Sequence, residues 1–206
     1  MFIRVFPAGP LSTNAILLGC KATKRAAVID PSQGSTGPLL EEADREGFVI
    51  NKILLTHSHW DHIVDVHLLK EATEALLFVH SLDAPNVIKP GSDKLPLYFP
   101  IHGTQPDGFL EEGKPIDIGH LHIDVIHTPG HSPGSVCFYL KEQKVLISGD
   151  TLFCGAIGRI DLPTGQPKEM QKSLQKLQSL PPETRVIPGH GGETTLAQET
   201  RSMRML

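Results

Sequence analysis

Short apolar runs separated by turn-forming residues open the chain: Phe2-Ile3-Arg4-Val5-Phe6, Ala15-Ile16-Leu17-Leu18 and Ala26-Ala27-Val28-Ile29, with Pro, Gly, Ser, Thr and Asn between them. Runs bounded in this way read as strands, and three in succession predict an antiparallel meander. Leu39 to Glu46, stopped by Gly47, predicts a helix, and Asn51 to Leu55 a buried strand. Ile63 to Lys70 follows at helical spacing, with Ile63, Val66, Leu69 and Ala72 on one face, and Ala75 to Val79 is another buried strand. Strand and helix therefore alternate in this half, as in an α/β layer. Ser81 to Gly113 carries prolines at 85, 90, 96, 100 and 106 and reads as a long irregular stretch, more often a functional rim than filler.

The second half resumes with Pro115 to Gly119 and Leu121 to Ile126, whose apolar–polar alternation predicts a half-buried strand with His120, His122 and His127 as surface or edge residues. Val136 to Leu140, Lys144 to Gly149 and Arg185 to Gly189 are further strands, with Cys137 as a small core residue. Lys168 to Leu180, with Met170, Leu174 and Leu177 at helical spacing, predicts an amphipathic helix, and Thr194 to Met203 a final short one.

Polar residues gather where these apolar runs end. Thr56-His57-Ser58-His59-Trp60-Asp61-His62 follows Ile53-Leu54-Leu55 directly. His57 and His59, two apart in a chain leaving a strand, point to one side. Asp61 and His62 come from the turn that starts the next segment. Imidazole and carboxylate suit zinc, iron or manganese, and the absence of clustered cysteines argues against a structural thiolate site. His131 sits in the rigid turn Thr128-Pro129-Gly130-His131-Ser132-Pro133-Gly134-Ser135, which can aim a side chain. Asp150 ends the strand Lys144 to Gly149, and His190 ends Arg185 to Gly189. Alone, Asp150 would pass for a helix cap or turn residue. Here four apolar strands converge on His57, His59, Asp61, His62, His131, Asp150 and His190. One metal with an open position needs about three protein ligands, so this set supplies two metals sharing a bridge, most naturally a carboxylate.

Composition narrows the function classes. A chain of 206 residues, 39% hydrophobic and 20% charged, fits one globular domain over 1–206. A formal charge of −4 without any Lys/Arg block gives no support for nucleic-acid binding. An odd, scattered trio of cysteines and an N-terminus without a charged and apolar leader point to a reducing cytoplasm. No apolar run is long enough to span a bilayer, so no membrane role is expected.

The Thr-His-x-His-x-Asp-His heptad resembles the signature of the metallo-β-lactamase fold superfamily. The resemblance extends from Asn14 through Gly149-Asp150-Thr151-Leu152-Phe153 to Gly189-His190-Gly191 and Thr194-Thr195. Within that superfamily the chain is similar to the glyoxalase II group, in a compact form without the helical C-terminal extension. The resemblance implies an α/β fold, a four-layer αββα sandwich, with the metal site at one edge of the two sheets and two divalent cations, zinc or else iron or manganese. His57, His59 and His131 would hold the first, Asp61, His62 and His190 the second, and Asp150 would bridge them, with Asp61 and Asp150 as the catalytic carboxylates.

Asp150 stands where cysteine-containing metallo-β-lactamases differ, and His59 and His62 where the flavodiiron branch is acidic; both differences point to a hydrolase. Two cations sharing one water lower its pKa and can set a hydroxide against an acyl carbonyl. The implied substrate is a small-molecule thioester such as S-lactoylglutathione. Arg159 occupies the position of a glutathione-contacting lysine in the full-length enzymes; it serves the substrate or pairs with Asp161. Tyr98 and Phe99 line a substrate groove or anchor the 81–113 segment to the core. The Gly-Arg-x-Asp element, Gly158 to Asp161, also resembles persulfide dioxygenases, with one iron on His57, His131 and Asp150. A metal-binding protein without turnover is the third reading.

Overall fold

The computed structural model describes residues 1–205. The first half builds a six-stranded sheet in chain order: β1 (Phe2–Ala8), β2 (Thr13–Cys20), β3 (Arg25–Ile29), β4 (Val49–Leu54), β5 (Leu76–His80) and β6 (Gly108–Leu110). β1 to β3 pair antiparallel, as the meander predicts, and β3 to β6 pair parallel. Helices α1 (Thr36–Glu46), α2 (Trp60–Ile63), α3 (Val66–Thr73) and α4 (Ala84–Ile88) occupy the connections. The second half contributes β7 (Ile116–Ile118), β8 (Leu121–His127), β9 (Val136–Leu140) and β10 (Val145–Gly149). A two-stranded ribbon, β11 (Leu152–Phe153) with β12 (Ala156–Ile157), and helix α5 (Pro167–Leu177) precede β13 (Arg185–Pro188) and β14 (Thr194–Thr195). The second sheet has the order β14-β13-β10-β9-β8-β7.

Three cores separate four layers. Alternate residues of one strand point to opposite faces, so Ala15 and Leu17 of β2 meet Leu39 of α1 and Leu69 of α3 in the first core. Ile16 and Leu18 face the other way, into a core between the sheets with Val136, Phe138 and Leu140 of β9. Cys137 and Tyr139 of β9 turn outward against Met170, Leu174 and Leu177 of α5. A strand buried on both faces has no solvent side, which is why β9 is apolar throughout. A buried Leu or Phe side chain stabilises by about 1.5–3 kcal/mol over its exposed state. The arrangement is the expected αββα sandwich.

Several local expectations need correction. The helix over Ile63 to Lys70 is broken: α2 stops at Ile63, and α3 begins at Val66 after Asp65. The Asp65 N–H bonds to the Pro31 carbonyl at 3.0 Å, and its carboxylate accepts the Thr36 N–H and hydroxyl at 3.1 and 2.9 Å. Ile63, Val66 and Leu69 do face the core, but Ala72 is exposed. The 81–113 segment is not wholly irregular, since it holds α4 and β6. The helix over 168–180 ends at Leu177, shortly before Pro181-Pro182, which cannot continue it. No α-helix spans Thr194 to Met203. Thr194 and Thr195 pair with β13, and two 3₁₀ turns follow, gathered around buried Glu199, which accepts Gly155 N–H, Thr194 Oγ1 and Ser202 Oγ at 2.8, 2.7 and 2.6 Å. Among the described residues no helix is long and apolar enough to cross a membrane.

Candidate metal centre

The carboxyl ends of β3, β4, β10 and β13 meet at one edge of the sandwich, together with the turn between β8 and β9. Backbone bonds join the two sheets there: Asn14 N–H to Gly189 O at 2.7 Å and Val136 N–H to Thr56 O at 2.8 Å. The Asn14 amide adds bonds to Pro188 O and Gly191 O at 2.9 and 3.0 Å, which fixes the loop carrying His190. Gly189 is required by crowding, because a Cβ there would lie 2.1 Å from Asp150 Oδ1.

All seven sequence-selected residues come together at this edge. Ligand atoms of His57, His59 and His131 lie within 4.8 Å of one another, and so do those of Asp61, His62 and His190. Each trio takes two residues from the first sheet and one from the second. Asp150 stands between them, with Oδ1 3.4 Å from His62 Nε2 and Oδ2 3.4 Å from His131 Nε2 and 3.5 Å from His190 Nε2. A third trio, Asp30, His57 and His62, is equally close. Asp30, however, is committed to protein partners: Oδ1 accepts Thr56 N–H at 2.8 Å, and Oδ2 accepts Thr56 Oγ1 and His62 Nδ1 at 2.6 and 2.9 Å. Both of its oxygens are thus engaged in orienting His62 and Thr56.

The outer hydrogen bonds assign every imidazole tautomer. A carbonyl only accepts, so His131 Nδ1 and His190 Nδ1 carry protons to Arg159 O and Leu11 O, at 2.9 and 3.0 Å. His62 Nδ1 likewise donates to Asp30. The Thr56 hydroxyl gives its one proton to Asp30 and therefore accepts from His57 Nδ1 at 3.1 Å. Thr164 gives its proton to His131 O at 3.0 Å and so accepts from His59 Nε2 at 3.1 Å. This leaves Nδ1 of His59 and Nε2 of the other four as the inward-facing nitrogens, the arrangement that outer hydrogen bonds impose on metal-ligating histidines.

Electrostatics agree with that assignment at His57 and His59, whereas the facing carboxylates favour a second proton on His62 and His190. Burial pushes His57 well below the ordinary imidazole range and His59 down to about 3, with neighbouring imidazoles adding to the effect, so both are neutral donors. Burial would depress His62 too, but Asp61, Asp150 and Asp30 outweigh it and raise His62 well above its usual value. His190 is raised to about 9 against burial, by Asp150 and Asp61. Burial favours protonation of the carboxylates, yet the facing His62 and His190 hold Asp61 at about 2 and Asp150 well below the ordinary carboxylate value. Three buried polar atoms in the cluster have no hydrogen-bond partner: His57 Nε2, His131 Nε2 and Asp150 Oδ1. Such orphans are costly unless something else satisfies them. Neutral nitrogens at His57 and His59, ionised carboxylates and unpartnered inward atoms together fit divalent metal ions.

Supporting residues absent from the sequence reading lie on α4 and at its N-cap. Asp83 accepts Ser58 N–H and Ser132 Oγ on one oxygen, at 2.9 and 2.8 Å, and Gly134 N–H on the other at 2.6 Å. Asn86 donates to Ser58 O at 2.6 Å. Ser58, between His57 and His59, is thus held at both its N–H and its C=O, and Asp83 also reaches the turn carrying His131. Asp83→Ala strands the Ser58 and Gly134 N–H groups at roughly 1–3 kcal/mol each, so a loss of about 2–6 kcal/mol in urea unfolding is expected. A change under about 0.5 kcal/mol, the level of a neutral surface substitution, would contradict this role.

A cavity of about 970 Å³ opens above the cluster and reaches His59, Asp61, His131, Asp150 and His190. Arg159 and Tyr98, the two candidate substrate residues, line it. Tyr98 is 74% exposed and, with Phe99, rests edge-on against Trp60 at 5.5 and 5.6 Å, so these two rings form the rim and anchor it at once. Arg159 lines the cavity while making a bidentate pair with Asp161, both bonds 2.9 Å.

Comparison with known proteins agrees with this geometry. A hydroxyacylglutathione hydrolase, GloC, of Haemophilus influenzae is 30% identical over 98% of this chain and 96% of its own length. The crystal structure of TTHA1623 in a di-iron-bound form superposes with a TM-score of 0.84, 39% identity and full coverage of both chains. That of the B3 metallo-β-lactamase BLEG-1 superposes with a TM-score of 0.89 and 36% identity over 98% of each. The family model described as metallo-beta-lactamase superfamily matches residues 8–190, from the end of β1 to the last residue of the cluster. The chain belongs to the metallo-β-lactamase superfamily.

Proposed function

We propose that the protein is a binuclear metal-dependent hydrolase of small-molecule acyl thioesters, the class to which S-lactoylglutathione belongs. The observation that carries this reading is Asp150, whose two oxygens are shared between the ligand trios. His57, His59 and His131 would hold one cation and Asp61, His62 and His190 the other, zinc by donor type, with iron or manganese also accepted. When bound, the pair supplies a water of lowered pKa and positive charge for the developing oxyanion. Asp61 and Asp150 remain ionised at neutral pH and open onto the cavity, so their oxygens can accept hydrogen bonds from the attacking water and orient it. Thr13 Oγ1, donating to Asp61 Oδ2 at 2.7 Å, keeps that carboxylate in place. A thioester suits the site because a thiol with a pKa of about 8.5 leaves without strong acid assistance.

The test is S-lactoylglutathione hydrolysis by zinc-reconstituted protein beside its His62→Ala variant. A loss of about 10²-fold or more is expected, the scale of removing one group that stabilises reacting charge. Full activity in a variant shown to hold a single metal would refute the binuclear mechanism.

A second reading has its own observation. The three orphaned atoms belong to His57, His131 and Asp150, two histidines and a carboxylate, the donor set of a mononuclear iron oxygenase such as a persulfide dioxygenase. Oxygen uptake on adding a persulfide to iron-loaded protein, with no thioester turnover, would favour it.

A further inference from the structure

We propose that the cavity selects a thioester whose side arm is apolar and uncharged, an aromatic or branched aliphatic group, over the charged arm of a glutathione conjugate. The inference rests on the thioester-hydrolase reading and concerns what that site accepts. Its first support is the wall. Leu11, Trp60, Leu95, Tyr98, Phe99 and Phe153 all face the cavity. Trp60 is only 7% exposed and both Tyr98 and Phe99 meet it edge-on, so this apolar surface is held before a ligand arrives. Tyr98 and Leu11 are 74% and 52% exposed, apolar area that a bound arm would cover.

The second support is charge. Among the described residues, Arg159 is the sole lysine or arginine in the cavity wall. Its Nε and Nη2 are engaged by the two oxygens of Asp161. A glutathione arm brings two carboxylates. To use Arg159 it would have to share the guanidinium with Asp161, whose charge already offsets it. An uncharged apolar arm meets no such competition and needs no counter-charge.

Trp60 is the single tryptophan of the chain, so its emission reports occupancy of the cavity without turnover. Zinc-loaded protein is titrated with two thioethers that cannot be hydrolysed, S-methylglutathione and the benzyl thioether of N-acetylcysteamine. The corresponding thioesters, S-lactoylglutathione and S-phenylacetyl-N-acetylcysteamine, are compared by kcat/KM. The neutral aromatic compound is expected to bind and to react at least about 10-fold better, the lower range of discrimination by an apolar pocket. Tyr98→Ala should narrow that ratio by weakening the aromatic ligand. Asp161→Ala should narrow it from the other side, by freeing Arg159 and tightening S-methylglutathione.

Equal or better binding and turnover of the glutathione compounds overturns the proposed selectivity and leaves the reaction intact. A ratio that moves in neither variant removes the assigned residues and overturns the proposal as well. The expected binding preference without hydrolysis of either thioester overturns the reaction instead, and the two failures are thereby told apart.

Discussion

Asp150→Ala protein, reconstituted with zinc, is expected to lose about 10³-fold or more in kcat/KM for thioester hydrolysis, above the loss for any one imidazole. The reason is its place between the trios. Oδ1 faces His62 and Oδ2 faces His131 and His190, so one truncation removes the negative charge that serves both halves of the cluster. It also leaves His62 and His190, both raised by this carboxylate, with less compensation in a buried site. Asp150→Asn keeps the shape and removes the charge, so it should fold nearly as well and remain inactive. Zinc counted by mass spectrometry should fall below two per chain in both variants. An Asp150→Asn enzyme that retains two zinc ions and more than a tenth of its activity would remove the bridging role.

The second large effect is expected on stability. Asp30 is 2% exposed and takes the left-handed backbone, φ 51°. Its carboxylate accepts three hydrogen bonds, from Thr56 N–H, Thr56 Oγ1 and His62 Nδ1. Asp30→Ala leaves those donors buried without a partner and puts alanine where the left-handed backbone suits aspartate or asparagine better. A loss of about 3–5 kcal/mol follows, comparable to breaking a buried ion pair. Asp30→Asn tolerates the backbone and keeps one acceptor, so it should lie between the two in denaturant unfolding with chelator present. Metal affinity should weaken by about 10–100-fold, as for other groups that orient a ligating histidine. If Asp30→Ala unfolds at the wild-type denaturant concentration, the carboxylate does not organise the cluster.

Asp30 also shows where reading the sequence succeeds and where it stops. It follows the apolar run Ala26 to Ile29 just as Asp150 follows Val145 to Gly149, and the same signal was present at both. What distinguishes them is the direction of the side chain, which depends on a positive φ and on Thr56, 26 residues away. His57, His59, Asp61 and His62 were legible because their convergence is local. His131, Asp150 and His190 were legible because each closes a strand or sits in a rigid turn. Asp83 and Asn86 carried no local signal, since their partners Ser58 and Gly134 lie 25 to 51 residues off. The αββα layering was legible only through the family resemblance of the Thr56 to His62 heptad, since alternating strands and helices alone gave no more than an α/β layer. The break at Asp65 was not, because it depends on Thr36 and Pro31, and long-range contacts of that kind override helical spacing.

The division of each trio between the two sheets has a consequence beyond catalysis. Two residues of each trio flanking Asp150 come from the first sheet and one from the second, so an ion captured there would tie together two halves of the chain that are otherwise joined mainly by apolar packing. It acts as a reversible cross-link, present at the stoichiometry of the reaction centre and removable by a chelator. Ligation then stabilises the folded form by mass action, about 2.7 kcal/mol at a free ion concentration 100 times the dissociation constant. A cell short of the ion would see turnover and mechanical cohesion of the sandwich fall together, and the depleted chain would be the one its proteases meet first.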